Sequence, residues 1–307
     1  MARTRFAPDR GLSARMGLTM FLLGLLYVVL VITLTFVFRG AGGFVLAVVI
    51  SGALLWAQWY FSDSLALKAM RAEVVTPEQA PELHAMVDRL CALADMPKPK
   101  VAIAHSQIPN AFATGRSPDR AVVCATTGIM RRLDRAELEA VMAHELSHVA
   151  HRDVTVMTVA SVVGVLAGFM TRSMLWSGMA GGGRRDNNSN AAAMFLLVMV
   201  VSMVVYAVSF VLIRALSRYR ELAADRAGAH LVGQPSLLAS ALVKISGDMA
   251  RIPTQDLRSV EAYNAFFFAP AISSKFDFAS LFSTHPPLEK RLEQLARISG
   301  ELGRPTL

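Results

Sequence analysis

Charged side chains are scarce in this sequence and cysteines nearly absent. Of 307 residues, 18% are charged and 54% are hydrophobic, a balance too apolar for an ordinary soluble enzyme. The two cysteines, Cys91 and Cys124, form no C-x-x-C pair and imply no disulfide framework, as expected in a reducing compartment. The net charge of +8 comes from basic residues that are dispersed or flank apolar runs. No basic stripe interleaved with aromatics is present, so nucleic acid is not an expected partner. No internal repeat is found.

Charge is missing altogether from four long stretches, residues 16–38, 40–62, 154–171 and 187–213. A spanning helix needs about 20 apolar residues, so these predict four transmembrane helices. The alternative for the last pair is a hairpin buried in a large soluble core. The first apolar run is too long for a signal peptide and lacks a small-residue cleavage site, so it reads as a retained anchor. Arg3, Arg5, Arg10 and Arg15 precede it, opposed only by Asp9. By the positive-inside rule the N-terminus is cytoplasmic, and the first two spans form a hairpin. Arg214, Arg218 and Arg220 after the last run agree, whereas Arg172, Arg184 and Arg185 between the third and fourth oppose it.

The expected organisation has four parts: a membrane hairpin over 1–62, a soluble α+β segment over 63–153, a second membrane hairpin over 154–213, and a helical segment over 214–307. Within the second part, Thr76-Pro77 opens a helix that runs to residue 93. Short strands are expected at 101–104, 110–114 and 121–126, separated by turn residues. A last helix starts at Pro286-Pro287.

The chemistry is carried by His144-Glu145-Leu146-Ser147-His148, an HExxH string. Histidines at i and i+4 lie on one helical face and can reach one metal ion, and the glutamate between them can take a proton from a water. The string sits in a helix: Asp134 and Glu137 make a capping box, and Leu138, Val141, Met142 and Leu146 follow at helical spacing. Two histidines leave a catalytic zinc one protein ligand short. The extended motif with a third histidine needs Gly at 151 and His at 154; this chain has His151 and Val154. His151 lies about 10 Å along the helix from His144 and reads as a polar residue near the membrane surface. Glu221 and Asp225, at i and i+4, offer one carboxylate as ligand and one to orient a histidine. By spacing alone they read equally well as a solvated helix face paired with Arg218. If the helices continue out of the membrane, His148 and Glu221 lie at similar heights, with the metal on the order of 10 Å above the surface.

Taken together, Asn110-Ala-Phe-Ala-Thr-Gly115, His144-Glu-Leu-Ser-His148 with Asp153, Ser217-Arg218 leading to Glu221 and Asp225, and Ser283-Thr-His285-Pro-Pro-Leu-Glu-Lys-Arg291 resemble the HtpX family of bacterial membrane zinc metalloproteases. These are relatives of the type-I CAAX prenyl endopeptidases. The resemblance covers essentially the whole chain in order and spacing. It implies a mainly α integral membrane protein whose cytoplasmic α+β domain is zincin-like, of the gluzincin kind. It implies His144, His148 and Glu221 as ligands of one Zn2+, Glu145 as the catalytic base, Asp225 behind a ligand, and Asn110 and His285 beside the scissile carbonyl. From their local sequence alone, Asn110 after Pro109 and His285 before Pro286 read as turn and helix-start residues. The implied function is endopeptidase action on misfolded or damaged membrane proteins and unfolded polypeptides at the cytoplasmic face of the bacterial inner membrane. A CAAX-type prenyl protease is the alternative enzyme, but four spans are few for its membrane chamber. A transporter or scaffold with structural zinc is the alternative outside enzymes. A transporter is expected to carry ionisable residues inside its spans, and these have none.

Overall fold

The computed structural model describes residues 10–37, 49, 52–53, 56–57, 59–180, 189–249 and 285–303. Three of its helices are long and apolar enough to cross a membrane, at Ser13–Thr33, Asp153–Arg172 and Ala193–Val232. They belong to α1 (Arg10–Val37), α6 (Asp153–Ala180) and α7 (Ser189–Val232). More than half of the expected span at 40–62, and all but the last two residues of the loop at 181–190, lie outside the described residues.

Helices α6 and α7 pack through small residues. A side-chain carbon on Gly168 would meet the Tyr206 ring at 3.1 Å, and one on Gly164 would meet Ile213 at 3.4 Å, so α6 and α7 approach closely in the manner of membrane helices. Leu30, Val163, Ala167, Met170, Val198 and Val205 fill the space between the three long helices. Their outward faces carry exposed Phe21, Leu25, Leu196, Leu197, Val200 and Met203, a surface suited to lipid rather than water.

Beyond the spans, α2 (Ser62–Ala69) leads into a four-stranded sheet. Its strands are β1 (Ala72–Val74), β2 (Lys100–Ala104), β3 (Ala111–Thr114) and β4 (Val122–Thr126), in the order β1-β2-β4-β3. The β2–β4 pair is parallel and the outer pairs are antiparallel, so β3 is an edge strand. Period-two alternation sorts the faces. Ala102, Ala104, Phe112, Val122 and Cys124 pack on Ala66 of α2. Val101, Val123 and Ala125 join the main core with α3 (Pro81–Ala94), α5 (Arg135–Ala150), α8 (Pro235–Met249) and α9 (Leu288–Glu301). A short helix, α4 (Thr127–Arg132), links β4 to α5.

Two expectations are corrected. Helix α3 begins at Pro81 rather than at Thr76-Pro77. Residue Ala80 precedes a proline and sits at φ −142°, ψ 63°, because the proline ring disfavours the helical region for its neighbour. The motif helix also does not run on into the third span. It ends at Ala150, and Arg152 takes a left-handed φ of 56° before α6 begins at Asp153. The height estimated for His148 by continuous helix rise therefore does not apply. Helix α7 is continuous for 44 residues, so Glu221 does ride about 12 Å past Ile213.

Candidate metal centre

Helix α5 is buried on nearly every side from Glu137 to Val149. Its start is fixed as the sequence implies: Glu137 N–H donates to Asp134 at 2.8 Å, and Asp134 N–H donates to Glu137 at 3.0 Å. Glu137 also accepts from Ser240 Oγ at 2.6 Å and pairs with Lys244 at 2.5 Å, which ties the helix to α8. Helix α7 lies directly against the motif: a side-chain carbon on Gly228 would come within 2.8 Å of His144 N. Only glycine permits that approach.

At this crossing the side chains converge. His144 Nε2 and His148 Nε2 are 3.1 Å apart. Glu221 Oε2 is 3.8 Å from the first and Oε1 is 3.4 Å from the second. A tetrahedral ion with ligand bonds of about 2.0–2.1 Å holds its ligand atoms about 3.3 Å apart. The three residues therefore fit a single metal ion, and they form the one such group of His, Cys, Asp or Glu among the described residues. His151 stands outside it, exposed at the C-terminal cap of α5. Burial holds the His144 ring below its ordinary pKa, against the pull of Asp225, which favours the neutral form a metal needs.

Each histidine has a carboxylate behind it. Asp225 Oδ1 lies 2.9 Å from His144 Nδ1, and Asp153 Oδ2 lies 2.5 Å from His148 Nδ1. Arg291 donates to Asp225 through Nε at 2.7 Å and a terminal nitrogen at 2.6 Å, and Arg220 pairs with Asp153. His285, 5% exposed, brings Nδ1 to 3.1 Å from Glu221 Oε2. The family resemblance implies a place for it beside the substrate carbonyl; the structure sets it against the Glu221 carboxylate.

Glu145 is buried beside this group. Burial pushes its carboxyl up to about 8, with His148 lowering it, Glu221 raising it and Arg291 lowering it again. The Ala113 backbone gives it a hydrogen bond. The strand register explains that contact. Asn110 is fully buried and pairs with Thr126 through both its backbone groups. Antiparallel alternation then turns Phe112 and Thr114 towards β4 and turns Ala111 and Ala113 outwards. The open edge of β3 thus abuts Glu145.

Sequence reasoning left Asp153 and Arg291 without roles and passed over Gly228 and Arg220. The run of small residues Ala223-Ala224 and Ala227-Gly228-Ala229 around Asp225 was the available signal of a close helix crossing.

The chain is similar in sequence to known proteases. Residues 77–299 match the model for peptidase family M48. The chain is 59% identical to "Protease HtpX homolog 1" of Streptomyces coelicolor over 301 residues, covering 98% of this chain and 97% of that one. It is 53% identical to "Protease HtpX homolog" of Moorella thermoacetica over 300 residues, covering 98% of each. It is 50% identical to "Protease HtpX homolog 2" of Methanosarcina acetivorans, covering 98% of this chain and 99% of that one. Among solved structures, the crystal structure of S. mikatae Ste24p aligns over 88% of this chain and 66% of its own, at 17% identity and a TM-score of 0.46.

Proposed function

The chain belongs to peptidase family M48 as a metalloprotease of the membrane, and we propose that its metal is zinc, held by His144, His148 and Glu221, and that it cuts misfolded or damaged membrane proteins on the cytoplasmic side of the cell membrane. The observation that carries this reading is the convergence of those three side chains beside buried Glu145. Two imidazoles and one carboxylate are the protein donor set of a catalytic zinc, which takes water as its fourth ligand. Zinc so bound supplies Lewis acidity, which brings the pKa of a water near neutrality and polarises the scissile carbonyl.

The rest of the reaction belongs to the chain. Glu145 takes the proton of the attacking water and hands it to the leaving amine. His285 and Asn110 stabilise the charge that develops on the carbonyl oxygen. An extended substrate adds to the edge of β3 through the outward backbone groups of Ala111 and the carbonyl of Ala113, whose N–H is given to Glu145. Such pairing reads backbone rather than side chains, and unfolded segments of many sequences qualify. The lipid bilayer is the other partner, and the four-span arrangement puts both termini and the catalytic domain in the cytoplasm.

The test is digestion of casein by the purified chain in detergent. Zinc-dependent cleavage, stopped by a chelator, restored by zinc and absent in Glu145→Ala, is expected. Cleavage that survives chelation, or survives Glu145→Ala, contradicts the reading.

A further inference from the structure

Asp153 follows His148 by five residues. On an unbroken helix that step turns a side chain by about 140° and lifts it about 7.5 Å, so the two could not meet. They do meet, at 2.5 Å, because Arg152 is left-handed and folds the start of α6 back over the end of α5. A non-glycine residue at positive φ is uncommon, and here the turn it makes delivers a carboxylate to the outer nitrogen of a metal-group histidine. Asp153 is in turn paired with Arg220, which is 4% exposed and adjoins Glu221 on α7. Asp225 and Arg291 form the matching pair behind His144.

We propose that Asp153 is a positioning residue for the metal centre, bracing His148 through Nδ1, with Arg220 holding Asp153. This rests on the reading of His144, His148 and Glu221 as ligands. An Nδ1–H donated to Asp153 leaves Nε2 as the lone-pair nitrogen and fixes the ring plane. The brace has a second consequence. Asp153 is the first residue of one membrane helix, and Arg220 and Glu221 lie on another. The direction in which His148 points is therefore set by the packing of α6 on α7. Arrangement of the two helices in the bilayer and geometry of the metal centre are one and the same adjustment.

The experiment is zinc affinity of the full-length chain in detergent, by competition with a chromophoric chelator, together with the visible spectrum of the cobalt-substituted protein. Asp153→Ala is expected to weaken zinc by about 10–100-fold and to alter the cobalt bands. Asp153→Asn keeps an acceptor oxygen without its charge and is expected to lose less. Arg152→Gly tolerates the left-handed turn and is expected to bind as the parent does. Thermal unfolding of the metal-free chain is measured beside it: Asp153→Asn leaves buried Arg220 without its charge partner and should lower the midpoint whether or not His148 is braced, whereas only loss of the brace alters the cobalt bands of the folded protein. Parental affinity and cobalt spectrum in both Asp153 variants, with zinc lost from His148→Ala, overturn the brace alone. Parental affinity in His148→Ala overturns the ligand assignment and the brace with it.

Discussion

As the proposed base, Glu145 must keep clear of the metal, and it is buried beside His144 and His148 with the Ala113 backbone as its hydrogen-bond partner. Glu145→Gln should therefore retain bound metal while kcat falls by about 100- to 10,000-fold, checked by metal analysis beside a peptide-cleavage assay. Arg291 is 2% exposed and bonds Asp225 through two nitrogens. Arg291→Met leaves that carboxylate buried without its partner, and should cost about 3–5 kcal/mol in a denaturant titration. The native thiols are silent for the opposite reason: burial pushes Cys91 up to about 11 and Cys124 up to about 12. Neither should react with maleimide at neutral pH until the chain unfolds. At this scale HExxH was legible because a helix repeats its faces at i and i+4, whereas the spacing of Glu221 and Asp225 left a solvated helix face equally open and only the family resemblance implied their roles. Asp153 was not legible, since its contact depends on a left-handed residue that no periodicity announces.

Elements deliver these residues, and the crossing of α5 with α7 delivers most of them. Gly228→Ala would place a carbon 2.8 Å from His144 N and 3.0 Å from its Cα, and backbone cannot swing aside. The helices must part, costing about 1–3 kcal/mol and separating Glu221 from the histidines, so metal affinity should fall in the same variant. Gly247→Ala, on the exposed face of α8 with open space around it, should instead stabilise by about 0.5–1 kcal/mol. Equal effects at both glycines, measured by thermal unfolding, would contradict the close crossing. Helix α5 is also tied by a titrating group. Burial works to raise the Glu137 pKa, but hydrogen bonds from Lys244, Ser240 and the Asp134 backbone outweigh it, and the folded value lies below 4.5. A depressed carboxylate contributes stability that is present above its unfolded pKa and lost as pH falls through the folded one. Unfolding midpoints should thus drop more steeply below about pH 4.5 in the parent than in Glu137→Gln. The strands and the motif helix were readable from alternation and capping. Strand β1, at three residues too short for its Ala72-Glu73-Val74 alternation to stand out, was not, and the start of α3 was set by Pro81 acting on Ala80.

At the scale of the whole molecule, the proposed metal centre is mounted on helices long and apolar enough to cross a membrane. Helix α7 carries Arg220, Glu221, Asp225 and Gly228 on the same rod as one of these candidate spans. Glu221 stands about 12 Å beyond Ile213 by helix rise, so substrates of the membrane should be cut only a few residues from their spans. Lengthening the cytoplasmic tail of a model substrate in steps should leave the cuts near the bilayer rather than moving them with one sequence. Since the native cysteines are buried, Glu78→Cys on the exposed surface reports topology. A membrane-impermeant maleimide should fail to reach it in intact cells and succeed in opened ones. Hydropathy made the long helices legible because charge is absent from them, but the break at Arg152 shows why rise alone could not locate His148.

Metal content and proteolysis measured together on Glu145→Gln and Glu221→Ala test the central claim most directly. The account predicts about one zinc per chain and no cleavage for the first, and loss of both zinc and cleavage for the second. Full zinc in Glu221→Ala, or full cleavage in Glu145→Gln, would contradict it.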